Sequence, residues 1–181
     1  MNGRPLTSFE QILLGLICLA PASGYDLKRI FATTAMGSYQ PSSGTLYPAL
    51  RRLERNGLIQ AAAAEASTSA RRRRVLEPTP AGRAAHLDWL RTPVVTATVS
   101  RDLGLHIMRF VMMEHALPGK EAPQFLRDLA SALTVVTQGL ERYAGVADPS
   151  RRHPALALNH GLAVHRASLQ WALETIALLE T

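Results

Sequence analysis

The sequence contains one run of four consecutive arginines: Arg71, Arg72, Arg73 and Arg74. Neighbouring like charges repel each other, so a folded chain that carries such a run is expected to meet a partner of opposite charge. Two further arginines, Arg51 and Arg52, follow Thr45 and Tyr47 in a segment with helical spacing. Guanidinium groups bind phosphates and the edges of guanine bases. These residues therefore predict contact with a polyanion.

The charge is distributed unevenly along the 181 residues. Residues 1–92 contain 12 Lys and Arg against 6 Asp and Glu, whereas residues 93–181 contain 8 of each. The whole excess of +6 therefore lies in the first half. This asymmetry predicts that the first half binds nucleic acid or an anionic membrane surface, while the second half has a different role.

The residues that could support catalysis or hold a metal do not form a recognisable site. The sequence contains no glycine-rich phosphate loop, no His-x-x-x-His pair and no G-x-S-x-G segment. His153, His160 and His165 lie near Asp148, but their spacing is too wide for a zinc site. We therefore expect no enzyme, no metal and no cofactor. The single cysteine, Cys18, excludes an internal disulfide, and its apolar neighbours predict a buried thiol.

The N-terminal segment "ILLGLICLAPASG" shares features with a secretory signal peptide. However, Glu10 and Gln11 adjoin it, and its apolar residues have helical spacing, which favours a helix of a folded domain. No run approaches the roughly 18 apolar residues of a membrane span. We expect a cytoplasmic protein with no membrane partner.

The first half has the pattern of three helices, two strands and a fourth helix. The first helix is expected after Thr7 or Ser8, since Ser8 and Gln11 have capping-box spacing, and the second after Ser23. The third should begin near Gly44 or Thr45, because Pro48 lacks an N–H and fits only the first four helical positions. "LIQAAAA" and "RRRRVLEP" predict two strands, and a helix capped by Thr79 should reach about residue 90.

This order of elements is typical of a winged helix-turn-helix. The leucines of the third helix would pack inward, so its opposite face would be free to enter the major groove of DNA. The arginine run would lie on the second strand of the wing or at its tip, where alternate side chains can reach phosphates. The residues predicted to face DNA are Ser42, Ser43, Thr45, Tyr47, Arg51 and Arg52, with Arg71, Arg72, Arg73 and Arg74 of the wing.

The second half predicts a helical dimerisation domain. We interpret the uncharged, β-branched segment 93–100 as a hinge, so that the domains are 1–92 and 101–181. Beyond it, leucines recur at alternating spacings of 3 and 4, which is typical of a coiled-coil seam. The residues predicted to form the dimer interface are Leu126, Leu129, Leu133, Val136, Leu140, Leu162, Leu169 and Ile176.

A small-molecule effector is a further prediction from aromatic and flexible side chains. Pockets use such residues, although each of them is also typical of a plain core. His165 lies on the second leucine seam, where we expect an interface histidine with one hydrogen-bond partner. It could instead sense the protonation of the dimer or contact a ligand. The residues considered for an effector site are Trp89, Met112, His165 and Trp171.

Three segments of the chain resemble the PadR family of bacterial transcriptional regulators: "LLGLICLAPASGYDLKRIF", "SSGTLYPALRRLERNGLI" and "LEPTPAG". The resemblance covers about residues 10–92 and implies an N-terminal winged helix, a C-terminal helical dimerisation domain and repression that a small aromatic ligand can release. It also implies that Ser43, Thr45, Tyr47 and Arg51 face DNA and that Tyr25 packs between helices near the DNA. The wing departs from the family pattern, since "QAAAA" stands where acidic or aromatic residues are usual, and Val75 stands where an aromatic residue is usual.

The sequence therefore predicts a mainly α protein that acts as a PadR-like homodimeric repressor of a palindromic operator. A winged-helix protein of another type, such as the MarR type, remains an alternative. A helical protein-interaction or membrane-surface module with a basic docking face is the alternative from a different class.

Overall fold

A computed structural model describes residues 4–33, 41–62, 74–117, 119–146, 148 and 150–180. The chain folds into two compact units, Met1–Arg91 and Thr92–Thr181. The fold is mainly helical, with a small sheet in the first unit. The helices and strands of the first unit are α1 (Ser8–Leu19), β1 (Ala22–Ser23), α2 (Gly24–Thr33), α3 (Ser43–Arg55), β2 (Ile59–Ala61), β3 (Val75–Pro78) and α4 (Pro80–Leu90).

The core of the first unit lies among helices α1 to α4. The apolar residues of α1 recur at helical spacing, and they pack against α3, α4 and β3. α3 presents Leu46 and Leu53 to this core, and both are fully buried. The other large apolar residues of the unit that are fully or almost fully buried are Ile12, Leu13, Leu14, Ile17, Leu27, Phe31, Ile59 and Leu90.

The first two helices start with side-chain caps. The hydroxyl of Thr7 accepts from the amide of Glu10 at 3.3 Å, and the Glu10 carboxylate accepts from the amide of Thr7 at 2.8 Å. The capping box is thus Thr7 with Glu10, which corrects the predicted pair of Ser8 and Gln11. The predicted cap of α2 is confirmed, because the Ser23 hydroxyl accepts from the amide of Asp26 at 3.3 Å.

Helix α3 begins at Ser43, so Pro48 lies at its sixth position rather than within the first four. The start is one residue before the predicted Gly44, but the restriction of Pro48 to the first four positions was wrong, because it assumed that the missing N–H leaves a costly unpaired carbonyl. Both Pro48 and Gly44 are exposed. Water can therefore hydrogen-bond to the Gly44 carbonyl that Pro48 leaves without an intrahelical donor.

The sheet of the first unit has the order β1–β3–β2, and both pairings are antiparallel. The predicted strands are present as β2 and β3, with Ile59 opposite Pro78 and Ala61 opposite Leu76. β1 was not predicted, since two residues are too short to produce a strand pattern. It pairs Ala22 with Leu76, and so connects the turn between α1 and α2 to the base of the wing.

Helix α4 starts as predicted, because the Thr79 hydroxyl accepts from the amide of Gly82 at 3.0 Å and Pro80 occupies the first turn. The same hydroxyl donates to the Gly57 carbonyl at 2.6 Å. Gly82 lies directly against Leu58, since a Cβ at Gly82 would overlap the Leu58 carbonyl oxygen and lie 2.9 Å from its carbon. Only glycine permits this approach, which explains the glycine of the segment "LEPTPAG".

The second unit is helical, with α5 (Thr96–Arg101), α6 (Leu103–Ala116), α7 (Glu121–Val146) and α8 (Arg152–Leu179). α7 packs along α8 and also contacts α5 and α6. Helix α5 occupies most of the segment predicted as a hinge, because Val99 is fully buried and anchors it to this unit. The predicted domain limits remain a prediction.

Candidate nucleic-acid interface

Helix α3 exposes one face because its leucines bury the other. Arg51 and Arg55 are both exposed and are four residues apart, so they lie one turn apart on the face opposite Leu46, Leu50 and Leu53. The sequence analysis named Arg51 but missed Arg55. The four-residue spacing between Arg51 and Arg55 was the available signal, because residues four apart lie on the same face of a helix.

The N-terminus of α3 is open to solvent. Ser42, Ser43 and Thr45 are exposed, and the hydroxyls of Ser42 and Thr45 lie 3.0 Å apart. The Ser42 side chain makes no capping hydrogen bond to the backbone. The first amides of a helix lack intrahelical partners and favour an anion, so this end of α3 can receive a phosphate.

Arg52 differs from the other arginines of α3. Its guanidinium donates to the carboxylate of Glu10, which is buried in α1 and also accepts from the amide and hydroxyl of Thr7. Burial by itself would raise the pKa of the Glu10 carboxyl, but the hydrogen bonds from Arg52 and Thr7 outweigh it and hold that pKa below its ordinary value. We therefore assign Arg52 to helix packing rather than to the DNA-facing set in which the sequence placed it.

Two tyrosines lie at the surface near the start of α2. A Cβ at Gly24 would lie 2.8 Å from Cε1 of Tyr47, so the Tyr47 ring lies directly over this glycine. Tyr47 itself is 45% exposed. Tyr25 is 55% exposed, and its expected packing between helices near the DNA stays a prediction. Both rings are accessible to a ligand that approaches the first turns of α2 and α3.

The described part of the wing consists of β2, β3 and Arg74. Arg71, Arg72 and Arg73 lie outside the described residues, so their predicted role stays a prediction. The guanidinium of Arg74 donates to the carboxylate of Glu54 in the last turn of α3. Across the two strands the Gln60 side-chain amide donates to the Glu77 carboxylate at 2.8 Å.

The residues predicted to form the dimer interface separate into two groups. Leu126, Leu129 and Leu133 are fully buried within a single chain, because α5 and α6 as well as α8 pack against α7. The prediction that these three need a partner chain was therefore wrong, since it treated α7 and α8 as an isolated hairpin. Leu162 is also buried. The remaining four residues are partly exposed: Val136, Leu140, Leu169 and Ile176.

The residues considered for an effector site lie in different surroundings. Met112 is fully buried in α6, which is typical of plain core. Trp171 is partly exposed and packs edge-on to Phe110 with ring centroids 5.6 Å apart, and His165 is also partly exposed. Trp89 belongs to the first unit, where its ring lies 5.9 Å from that of His86. An effector site therefore stays a prediction.

Two polar residues of α6, His106 and Arg109, are buried. His106 Nε2 lies 3.1 Å from the Thr98 hydroxyl, and Arg109 donates to the Thr92 carbonyl. The guanidinium carbon of Arg109 lies 4.9 Å from the centre of the Phe125 ring. Burial lowers the pKa of Arg109 to about 10 and also lowers the pKa of His106. These contacts hold the start of the second unit against α6.

Within the described ranges of the chain, no group of three or more His, Cys, Asp or Glu side chains could hold a metal ion. Among the same residues, no helix is both long and apolar enough to cross a membrane.

Comparison with known proteins gives one family and several similar structures. Residues 13–87 match the transcriptional regulator PadR-like family. The comparison with curated proteins gave no match. A crystal structure of Bacillus subtilis PadR in complex with operator DNA is 19% identical, with 97% of this chain and 99% of that chain covered and a TM-score of 0.45. The same protein in complex with p-coumaric acid is 20% identical, with coverages of 97% and 100% and a TM-score of 0.43. The Vibrio cholerae virulence activator AphA is 20% identical, with coverages of 95% and 98% and a TM-score of 0.40.

Proposed function

Because residues 13–87 belong to the PadR-like family of transcriptional regulators, we propose that this chain binds a specific operator sequence and represses transcription there. The observation that carries the proposal is the exposed face of α3 with Arg51 and Arg55. The opposite face is committed to the core through Leu46 and Leu53. A helix with this division can lie in the major groove without losing its own packing.

The exposed face of α3 combines two kinds of DNA contact. Arg51 and Arg55 can each present two N–H groups to O6 and N7 of a guanine, or to a backbone phosphate. The open helix end at Ser43 supplies backbone amides for a phosphate. Base contacts specify the sequence and phosphate contacts set the position on the duplex, so the helix has the groups that both tasks need.

The wing adds contacts that do not depend on base sequence. Arg74 stands immediately before β3, and its side chain is largely exposed. We assign to it, and to the preceding Arg71, Arg72 and Arg73, contact with phosphates flanking the major groove. Such contacts release counterions, so the affinity should fall steeply as salt is raised.

We further propose that the chain acts as a homodimer in the cytoplasm and that its operator is palindromic. Helix α8 carries apolar side chains on its exposed surface, among them Leu156, Val164 and Leu173. Exposed apolar side chains on one long helix favour association with a second copy, and two-fold symmetry is the usual arrangement of such a pair. Two copies of α3 would then read two half-sites about 34 Å apart, or a multiple of that distance.

Selection from a library of random-sequence duplexes tests the proposal without knowledge of the operator. The purified full-length protein should enrich one sequence with two inverted half-sites. A labelled duplex of that sequence should remain bound when excess non-specific DNA is added. Enrichment of no sequence by a folded protein would contradict the proposed function.

A further inference from the structure

An exposed ion pair connects the DNA-facing helix to the wing. Arg74, immediately before β3, donates to the carboxylate of Glu54 in the last turn of α3. The side chain of Arg74 is 62% exposed and that of Glu54 is 32% exposed. Ion pairs this accessible contribute little to stability, because water and salt screen both charges. Fold stability therefore does not explain the pair.

The position of Glu54 on α3 places its charge beside the proposed DNA surface. Glu54 is three residues after Arg51 and one residue before Arg55, whereas Leu50 and Leu53 on its other side are buried. Its carboxylate therefore lies at the boundary between the core face and the exposed basic face. A negative charge at this position repels the phosphates of any duplex that approaches α3.

The same carboxylate pairs with the guanidinium of Arg74, the wing cation that would otherwise bind a phosphate. A guanidinium that donates to a carboxylate must give up or share that bond before it can contact a phosphate oxygen in the same direction. Glu77 provides a contrast within the same sheet, since it accepts from the uncharged amide of Gln60. Glu54 therefore opposes DNA in two ways, by its own charge and by its hold on Arg74.

We propose that Glu54 limits the affinity of this protein for DNA of any sequence by holding Arg74, and that Arg74 binds a phosphate only after the ion pair opens. The inference rests on the proposed function, because it presumes that α3 and the wing approach a duplex. Its consequence is that stable binding needs the base contacts of α3 in addition to the attraction of the wing.

The test measures binding to a random-sequence duplex by fluorescence anisotropy over a series of salt concentrations. The full-length wild type is compared with Glu54→Gln, Arg74→Ala, the double variant and Glu77→Gln, which makes the same charge change on β3. Glu54→Gln should bind about fivefold more tightly, the upper range for an exposed ion pair. For this variant the slope of log affinity against log salt concentration should steepen by about one unit, as expected for one added phosphate contact.

The double variant separates the hold on Arg74 from a general charge effect. If Arg74 transmits most of the effect, Glu54→Gln should give a clearly smaller gain in affinity in the Arg74→Ala background than in the wild type, and the remaining gain is the loss of the carboxylate's own repulsion. Glu77→Gln should change affinity and slope much less than Glu54→Gln does. Glu54→Ala provides a second variant that lacks the carboxylate, and thermal unfolding of each protein checks that the fold is intact.

Three results would overturn the inference: no gain in affinity for Glu54→Gln, an equal gain for Glu77→Gln, or an undiminished gain in the Arg74→Ala background. A loss of affinity for Glu54→Gln would also overturn it and would make the pair a support for the wing. A folded wild type that binds no duplex even at low salt would instead overturn the proposed function.

Discussion

The guanidinium of Arg52 in α3 donates a hydrogen bond to the buried carboxylate of Glu10 in α1, 42 residues earlier in the chain. Glu10 also accepts from the amide of Thr7 at 2.8 Å and from its hydroxyl at 3.0 Å. One carboxylate thus completes the cap of α1 and fixes that end of α1 to α3. The adjacent Arg51 is exposed, so two neighbouring arginines have different roles.

Substitution of these two arginines should separate stability from DNA binding. Arg52→Ala leaves the Glu10 carboxylate buried without its charged partner, so the free energy of unfolding should fall by about 2–3 kcal/mol. Arg51→Ala removes an exposed side chain and should change that free energy by less than about 0.5 kcal/mol. Chemical denaturation of both variants measures the difference. Equal stability of the two variants would contradict the assignment of Arg52 to packing.

The stabilisation by Glu10 should depend on pH. Its pKa in the folded protein is held below the ordinary value of 4.5, so the unfolded chain takes up the proton first as the pH falls. The contribution is therefore complete above about pH 4.5 and is lost as the pH falls through the folded pKa. The difference in free energy of unfolding between wild type and Glu10→Gln should shrink over this acid range and stay constant near neutral pH. If the difference stayed constant down to the lowest pH at which the protein folds, the proposed stabilisation by the Glu10 carboxylate would be contradicted.

The sequence predicted the helices well because their signals are local. Leucine spacing, Thr79 with Pro80, and Ser23 each act within a few residues, and the structure confirms them. Two errors were local, the capping box of α1 and the position of Pro48 in α3. The other errors concern partners that are distant in sequence. Nothing near Arg52 in the sequence indicates that its guanidinium pairs with the carboxylate of Glu10. The leucine spacing through Leu133 likewise could not show that α5 and α6 cover this leucine. The strand β1 was missed because two residues are too few to produce a strand pattern, and its pairing with β3 forms only when the chain folds.

Gly82 should tolerate no side chain. A Cβ there would overlap the Leu58 carbonyl oxygen, which belongs to backbone and cannot rotate away. Gly82→Ala should therefore lower the free energy of unfolding by on the order of 3 kcal/mol, the cost of overpacking a close contact. Gly139→Ala in α7 is the matched control, because no atom lies within 4 Å of a Cβ at that position. The control should be stabilised by about 0.5–1 kcal/mol, since alanine favours a helix interior. Similar melting of both variants would contradict the close packing of α4 on Leu58.

The exposed apolar surface of α8 should hold two chains together. Sedimentation equilibrium at micromolar concentration should give a dimer for the wild type. Leu156→Glu with Val164→Glu should give a folded monomer that binds only one half-site, because both side chains are exposed and their substitution spares the core. Gln124→Glu with Gln138→Glu adds the same charge to exposed polar positions of α7 and should remain dimeric. A wild-type monomer that binds its selected sequence tightly would contradict the proposed homodimer.

The central claim is that the exposed face of α3 reads DNA, and the ratio of specific to non-specific affinity tests it most directly. The measurement compares binding to the selected duplex and to a scrambled duplex for the wild type and for Arg51→Ala with Arg55→Ala. A control with Arg101→Ala and Arg142→Ala removes the same charge from exposed positions of the second unit. The α3 variant should lose on the order of 1–3 kcal/mol on the selected duplex for each arginine that contacts a base, with a smaller loss on the scrambled duplex, while the control keeps the wild-type ratio. An unchanged ratio in the α3 variant would contradict the claim that this face of the helix recognises sequence.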